Sequence, residues 1–487
     1  MDNTDKSVKK QAIPISLLAC ACISVWIFLV IDSHATFRST EVTVHMVPII
    51  MGVFICLRLC VDAVLSVFGS TIKKLADRHA LVLACPICLI LGTILVTCVA
   101  NGWIEGIPVL VAGAALCGIG AELTLVLWLE VFVGLEFDTV KRIILWMIGI
   151  QACASTLFFV PFEYLFIICL LLPVLCIAGY YKAKTYSNYD DADKQVHWHK
   201  LSLSKALPLG IGIALLYFGF HFLQAGFQGT LSGGIGDYSV ETLASILGRW
   251  GALIVVFFTI KRMSDFHYES MFKIAGILGI CAFLILPLPF DYSFLIFCTI
   301  TIVACFLTEY AVTLAVVSIA SYSDIVPIKL IGWGRAAINT GGLLGVVVGL
   351  LLSGLWSSEN GSEFLAVAAA AAVLMLVIAS VFLLREQAIN NFLWGREAAD
   401  HAVMLFGDEN SVSKNCAFLA SRYSLTTREA EVLNFLLLGR STPYISETLY
   451  ISTDTVKTHI RHIYQKLDIH NRQDLLTLAR EKGILKR

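Results

Sequence analysis

Charge is scarce in this 487-residue chain: Asp, Glu, Lys and Arg together make up 15% of it, against about a quarter in soluble domains. With 58% hydrophobic residues and a mean hydropathy of +0.81, that shortage excludes an ordinary water-soluble fold for most of the length. Three chemical signatures are missing as well. No Gly-x-x-x-x-Gly-Lys-Ser/Thr loop is present to cradle a nucleotide, no nucleophile–base set points to an enzyme, and no Cys/His cluster has metal-ligand spacing. No catalytic residue, metal or cofactor is assigned. The cysteines lie mostly inside apolar runs (Cys20, Cys22, Cys56, Cys60, Cys117, Cys281 and Cys305) and read as small buried side chains. Cys85-x-x-Cys88 falls mid-run beside Pro86, without further ligands to complete a site.

Long apolar runs, by contrast, abound. A bilayer-spanning helix needs about 20 apolar residues, and such runs recur at 12–32, 44–68, 80–100, 107–133, 143–160 and 164–181, then, after a polar central loop at 182–205, at 206–226, 241–260, 271–289, 293–322, 336–355 and 363–384. The fold class is therefore all-α: a polytopic helical bundle of twelve spans in a six-plus-six arrangement over 12–384, with halves 12–181 and 206–384. The first run is longer than the roughly 7–15 apolar residues of a signal peptide, so it is expected to remain as a span despite the small residues around Ser33-His34-Ala35.

Orientation follows from basic residues, which favour the cytoplasmic side of short loops. Lys73, Lys74, Arg78, Lys141, Arg142, Lys182, Lys261, Arg262, Lys329, Arg335 and Arg385, with the basic residues of segment 1–11 and of the central loop, fall on one side; Arg38 alone falls on the other. Both termini are expected in the cytoplasm, with the chain multi-pass in a membrane and lipid as its first partner.

Ionisable groups inside spans are costly and mark interior faces or functional sites. Arg58 and Asp62 stand four apart, close enough on one helix to neutralise each other. Glu122, His221, Arg249 and Glu309 lie within other runs. Two roles stay open for these six: lining a midplane cavity for a small-molecule ligand, or purely structural pairing, with Arg249 joining Glu122 or Glu309. Glu130 is expected at the membrane interface. Gly341, Gly342, Gly345 and Gly349 suit close helix packing.

Composition changes at Arg385. Residues 385–424 are polar and mixed, a cytoplasmic linker, and 425–487 carry sharp helix signals. Thr426-x-x-Glu429 is a capping box, Val432, Leu433, Leu436 and Leu437 form an apolar face, and Gly439 ends the helix. A second short helix begins at Ser441 or Thr442 and buries Ile445 and Leu449. Ser452 can cap a third, in which Val456, Ile460, Ile463 and Leu467 face the core while Asp454, Lys457, Thr458, Arg461 and Gln465 face outward. A last helix from Arg472 to about Glu481 carries Leu475, Leu478 and Ala479 on one side.

Two resemblances follow from these residues. The six-plus-six pattern, with Gly69 and Asp77-Arg78 in the loop "GSTIKKLADRHA", resembles the major facilitator superfamily, which implies an MFS-like bundle built from two repeats. The segment "LTTREAEVLNFLLLGRSTPYISETLYISTDTVKTHIRHIYQKLDIHNRQDL" resembles the LuxR-type helix-turn-helix domain through its Leu-Thr-x-Arg-Glu-x-Glu-Val-Leu, Ile-Ser-x-x-Thr-Val-Lys-x-His and Lys-Leu-x-Ile-x-x-Arg elements. It implies a small four-helix domain that binds promoter DNA as a homodimer on paired half-sites. By that resemblance Lys457, Thr458 and Arg461 contact bases, Ser452, Thr453, Thr455 and Lys466 contact phosphates, and Leu475, Leu478 and Ala479 form the dimer contact. The sequence departs from the family at Thr442-Pro443-Tyr444, where Asn-Lys-Glu is common.

Two functions fit the combination. One is a membrane-embedded, one-component transcriptional regulator whose transporter-like bundle senses a small molecule. The other is an active transporter of the same fold that carries a regulatory DNA-binding domain.

Overall fold

The computed structural model describes residues 13–32, 40–72, 74–135, 137–187, 203–227, 234–235, 238–262, 268–288, 292–322, 326–356, 361–384, 423–437, 442–449 and 451–469, together with Asp474, Leu475 and Leu478. Segment 1–11, most of the central loop and nearly all of the linker 385–424 lie outside them. The chain divides into two compact units, Met1–Ala388 and Ile389–Arg487.

The first unit is a helical bundle. Its elements are α1 (Ile15–Leu18), α2 (Ala21–Ile27), α3 (Thr40–Ile72), α4 (His79–Ala100), α5 (Ile107–Val133), α6 (Phe137–Ser155), α7 (Phe162–Ala183), α8 (Leu203–Phe227), α9 (Val240–Arg262), α10 (Tyr268–Ile285), α11 (Ser293–Tyr322), α12 (Pro327–Trp356) and α13 (Gly361–Leu384). The one ladder among the described residues is antiparallel and two residues long, Gly234–Ile235 against Tyr238–Ser239. Seven helices are long and apolar enough to cross a membrane, and five shorter apolar helices accompany them among the described residues. The bundle's outside is apolar too: Leu351, Val367, Ile167 and Phe258 stand exposed, as a lipid-facing surface requires.

Small residues set the helix spacing. A side chain at Gly341 would run into the Ala214 carbonyl, and one at Gly345 would sit 2.5 Å from the Phe218 carbonyl. These glycines therefore let α12 lie directly on α8. Gly118 does the same for α5 against α3, where an added methyl would fall 2.6 Å from the Phe54 carbonyl.

The span whose start differs most from its expected bound is the eleventh. Helix α12 begins at Pro327 rather than at 336, so Arg335, expected in a cytoplasmic loop, lies within it and is buried. Hydropathy places an arginine outside a span because it scores one residue at a time; the partners described below make the burial possible.

The second unit has its own core. Helices α14 (Thr427–Leu437), α15 (Thr442–Leu449) and α16 (Thr453–Leu467) enclose Val432, Leu433, Leu436, Leu437, Ile445, Val456, Ile463, Leu467 and Leu475. Leu449, Ile460 and Leu478 pack against that cluster. Leu475, expected at a dimer contact, is thus fully buried in the domain's own core. An apolar stripe on a short helix satisfies either role by periodicity alone, and here the core takes this residue. Ala479 and Gly439 lie outside the described residues.

Candidate functional site

Among the described residues, each unit holds a cluster of charged side chains. In the bundle it converges on Glu122 of α5, whose side chain is wholly buried. Because Gly118 draws α3 close, Arg58 on that helix reaches across and its Nε donates to Glu122 Oε2 at 2.6 Å. From α12, Arg335 Nε donates to the other oxygen, Oε1, and Nη2 to Oε2 at 3.3 Å. Arg335 Nη1 also lies 3.7 Å from Glu309 Oε1 on α11. One carboxylate thus receives two guanidinium groups, the charge-assisted geometry that makes a buried ion tolerable.

The expected Arg58–Asp62 pair is not what forms. Asp62 accepts from Asn339 Nδ2 of α12 at 2.6 Å, and Arg58 turns to Glu122. Neighbours on one helix share a face, but Asn339 occupies Asp62, and the close approach of α3 and α5 at Gly118 brings Glu122 within reach of Arg58. Arg249 likewise joins neither carboxylate in the way expected. Its Nη1 donates to the Ser245 carbonyl at 3.0 Å and to the Ser245 hydroxyl, and its guanidinium lies over Phe28 at 3.9 Å and Phe306 at 5.2 Å. His221 stacks on Tyr217, with ring centroids 6.3 Å apart, and Tyr217 donates to the Cys305 carbonyl at 3.1 Å.

These groups border a cavity of about 180 Å³, lined by Arg58, Tyr217, His221, Ser245, Arg249, Glu309 and Asn339 among apolar and aromatic side chains. A second cavity of about 90 Å³ shares Arg249, Phe306 and Glu309 with it and adds Gln151, Tyr310 and Arg335. Sequence reasoning had singled out Arg58, His221, Arg249 and Glu309 of this lining, but neither Arg335 nor Asn339. The signal was present: "GRAAIN" sets an arginine and an asparagine four apart amid small residues, a polar stripe on one helix face.

Glu130, expected at the interface, is also buried. It accepts the backbone N–H groups of Leu75 at 2.8 Å and Ala76 at 3.1 Å, while Lys184 donates to the Ala76 carbonyl at 3.3 Å. The loop between α3 and α4 is thereby tied to α5 and to the end of α7.

In the second unit, Thr426 and Glu429 form the reciprocal cap that their spacing predicts. The Thr426 N–H donates to Glu429 Oε2 at 2.8 Å, and the Glu429 N–H donates to the Thr426 hydroxyl at 3.3 Å. Lys466 donates to the same carboxylate at 2.7 Å and to the Ser424 carbonyl at 3.1 Å. Burial opposes the charge on Glu429, but the bonds from Lys466 and Thr426 outweigh it and hold the carboxyl below its usual range. Lys466, expected on a phosphate, is exposed and in this structure bonds to its own domain's acid.

Ser452 caps α16, its hydroxyl accepting the Thr455 N–H at 3.1 Å. Val456, Ile463 and Leu467 turn inward, while Ser452, Thr453, Asp454, Thr455, Lys457, Thr458, Arg461 and Gln465 stand exposed. Lys457 Nζ rests 3.5 Å from Asp454, and the Thr458 hydroxyl donates to the Asp454 carbonyl at 2.9 Å. Asp468 closes the helix in the left-handed region, with φ of 54°, a conformation that aspartate tolerates. Arg428 donates to the Leu449 carbonyl at 2.6 Å, fastening α14 to the end of α15.

Residues 423–479 match the family described as bacterial regulatory proteins, luxR family. An uncharacterized response regulatory protein of Escherichia coli K12, YgeK, is 37% identical over 79 residues, 15% of this chain and 54% of that protein. The probable transcriptional regulatory protein NarL of Mycobacterium tuberculosis is 39% identical over 61 residues, 12% of this chain and 28% of that one. The chain therefore spans about half or less of the length of these curated relatives. Among solved structures, the human organic anion transporter MFSD10 aligns over 75% of this chain and 97% of its own at 13% identity, with a TM-score of 0.49. A bacterial homologue of the iron transporter ferroportin aligns over 76% and 96% at 14% identity, also with a TM-score of 0.49. With three helices packed on one apolar core, a capped third helix and this match, the C-terminal unit carries a helix-turn-helix domain of the luxR family of bacterial regulatory proteins.

Proposed function

We propose that this protein is a membrane-embedded, one-component transcriptional regulator: its helical bundle senses a small molecule, and its luxR-family domain binds promoter DNA from the cytoplasmic side of a bacterial inner membrane. The observation that carries this reading is the exposed face of α16. Lys457, Thr458 and Arg461 stand outward along a helix whose other face is locked into the core. Lys and Arg on such a face can donate to guanine O6 and N7 in a major groove, while Ser452, Thr453 and Thr455 at its N-terminus suit phosphate. Homodimers on paired half-sites would follow from the luxR-type arrangement. Of the residues expected at the contact between protomers, Leu475 belongs to the core and Leu478 packs against it.

The bundle supplies regulation without chemistry of its own. Its ligand must prefer one conformation of the bundle, and a full switch requires about 5.5 kcal/mol of preference. The test begins with the fragment 389–487 against promoter fragments. Binding is expected, and it should weaken steeply with salt as phosphate contacts release counterions; Lys457→Ala with Arg461→Ala should abolish it. Absent or salt-insensitive binding overturns the DNA-binding half. A reporter fused after Arg487 should be cytoplasmic, and a periplasmic one overturns the topology.

Transport is the second reading, favoured by the charged cavity between the halves. It predicts substrate flux in proteoliposomes that is lost on changing Glu122 or Arg249, whereas the regulator predicts ligand-dependent transcription without flux.

A further inference from the structure

We infer that the bundle cavity takes an uncharged ring compound that carries a hydroxyl group, of the size and kind of a phenol, and that Glu309 receives the hydroxyl. The inference rests on the reading of the bundle as a sensor and names the chemistry of what it senses.

Glu309 is an acceptor that the cavity presents. It lines both cavities, and its side chain is 38% exposed although its helix neighbours Leu307, Thr308 and Tyr310 are buried. Its hold on the protein is loose, since Arg335 Nη1 stands 3.7 Å from Oε1, beyond hydrogen-bond reach. Among the described residues, no group donates a hydrogen bond to this carboxylate. By contrast, both oxygens of Glu122 receive guanidinium N–H groups. A carboxylate offers about four lone-pair sites, and those of Glu309 remain for a molecule in the cavity. That molecule must donate.

The ions that meet around Glu309 already match, two guanidinium groups on Arg58 and Arg335 with two carboxylates on Glu122 and Glu309. Asp62 borders neither cavity, and Arg249 is held by Ser245 and by the rings of Phe28 and Phe306. A ligand of either sign would add an ion that this matched set does not answer, at the desolvation cost of a buried charge. A hydroxyl adds none, and an O–H approaches a carboxylate more closely than an N–H does. Size and wall describe the rest of the molecule. The main cavity holds about 180 Å³, close to the roughly 150 Å³ of an engineered apolar cavity that admits benzene. Phe54, Phe220, Phe297, Phe306 and Tyr217 wall it, and Tyr217, whose hydroxyl already donates to the Cys305 carbonyl, contributes its ring. The body that carries the hydroxyl is therefore a hydrocarbon ring or its equal in volume.

The experiment uses the full-length protein in lipid nanodiscs, with empty discs as the blank. It is titrated with phenol and para-cresol, with anisole and para-methylanisole as ethers that keep the ring and lack the donor, and with benzoate and benzylamine as charged counterparts. Saturable binding, read by calorimetry and by ligand-induced thermal stabilisation, is expected for at least one phenol and weaker by about tenfold or more for its ether, the acid and the amine. Glu309→Ala should weaken the phenol by a similar factor and change the ether little, a difference that a merely structural role would not produce. Glu309→Gln, which keeps one acceptor oxygen, should fall between. Helical circular dichroism of each variant separates loss of binding from loss of fold, and the near-isosteric Gln variant carries the test if the Ala variant does not fold. Binding of neither phenol, equal affinity for phenol and ether, tighter binding of the acid or the amine, or an equal loss of phenol and ether in a folded Glu309 variant overturns the inference. Phenol binding with no change in a promoter reporter instead refutes the sensor reading and leaves the site standing.

Discussion

The same side chain, arginine, does opposite work in the two units. In the bundle, Arg335 is 3% exposed and its guanidinium is bound on two sides by carboxylates. On α16, Arg461 stands in the open. A charge withdrawn from water needs its partners in order for the protein to stand, whereas a charge left in water contributes little to stability and stays available to bind. The contrast separates residues that hold the molecule together from residues that reach outward, and it can be tested directly.

The largest effect belongs to the buried side. Glu122→Ala strands two guanidinium groups, and removal of one partner from a buried ion pair costs about 3–5 kcal/mol. Detergent-solubilised variant and parent, compared by thermal or denaturant unfolding, should differ on that scale; a difference below about 1 kcal/mol would place the cluster in water. Next come the exposed residues. Lys457→Ala and Arg461→Ala should each weaken specific DNA binding by about 1–3 kcal/mol while leaving the unfolding midpoint of the fragment 389–487 within about 0.5 kcal/mol of the parent. A large stability change with either variant would erase the distinction drawn above.

Smaller effects fall on the caps. Ser452→Ala should destabilise the domain by about 1 kcal/mol, read by urea unfolding of the same fragment. Glu429 adds a dependence on pH. Its carboxyl is held below the usual glutamate range in the folded domain, so its contribution is present above the unfolded value and fades as pH falls through the folded one. An acid titration of parent and Glu429→Gln should show their stabilities converging at low pH. Curves that stay parallel would mean that Glu429 acts through packing alone.

Legibility in the sequence followed the range over which each interaction works. The capping box of Thr426 and Glu429 needs three residues of spacing and a helix start, and both were visible. The inward face of α16 needed only periodicity. In the bundle, the runs that reach a helix's length stood out because lipid demands them. Pairings across the bundle did not. Arg335 and Glu122 are 213 residues apart, and no local rule says that this arginine, on the margin of an apolar run, is drawn into the interior by an acid on another helix. Arg58 was read against its nearest acid in sequence for the same reason. Lys466 shows the limit from the other side: a family pattern suggested an external partner, while the domain supplied an internal one, Glu429.

The glycine seam between α8 and α12 bears on how a bound molecule would be felt elsewhere. With Gly341 and Gly345 seated on the Ala214 and Phe218 carbonyls, the two helices have little room to slide and act as a single strut. Tyr217 and His221 belong to one of its helices, and Arg335 and Asn339 to the other. A displacement of α8 would therefore carry α12 with it, and with α12 the bonds that Arg335 and Asn339 make to Glu122 and Asp62.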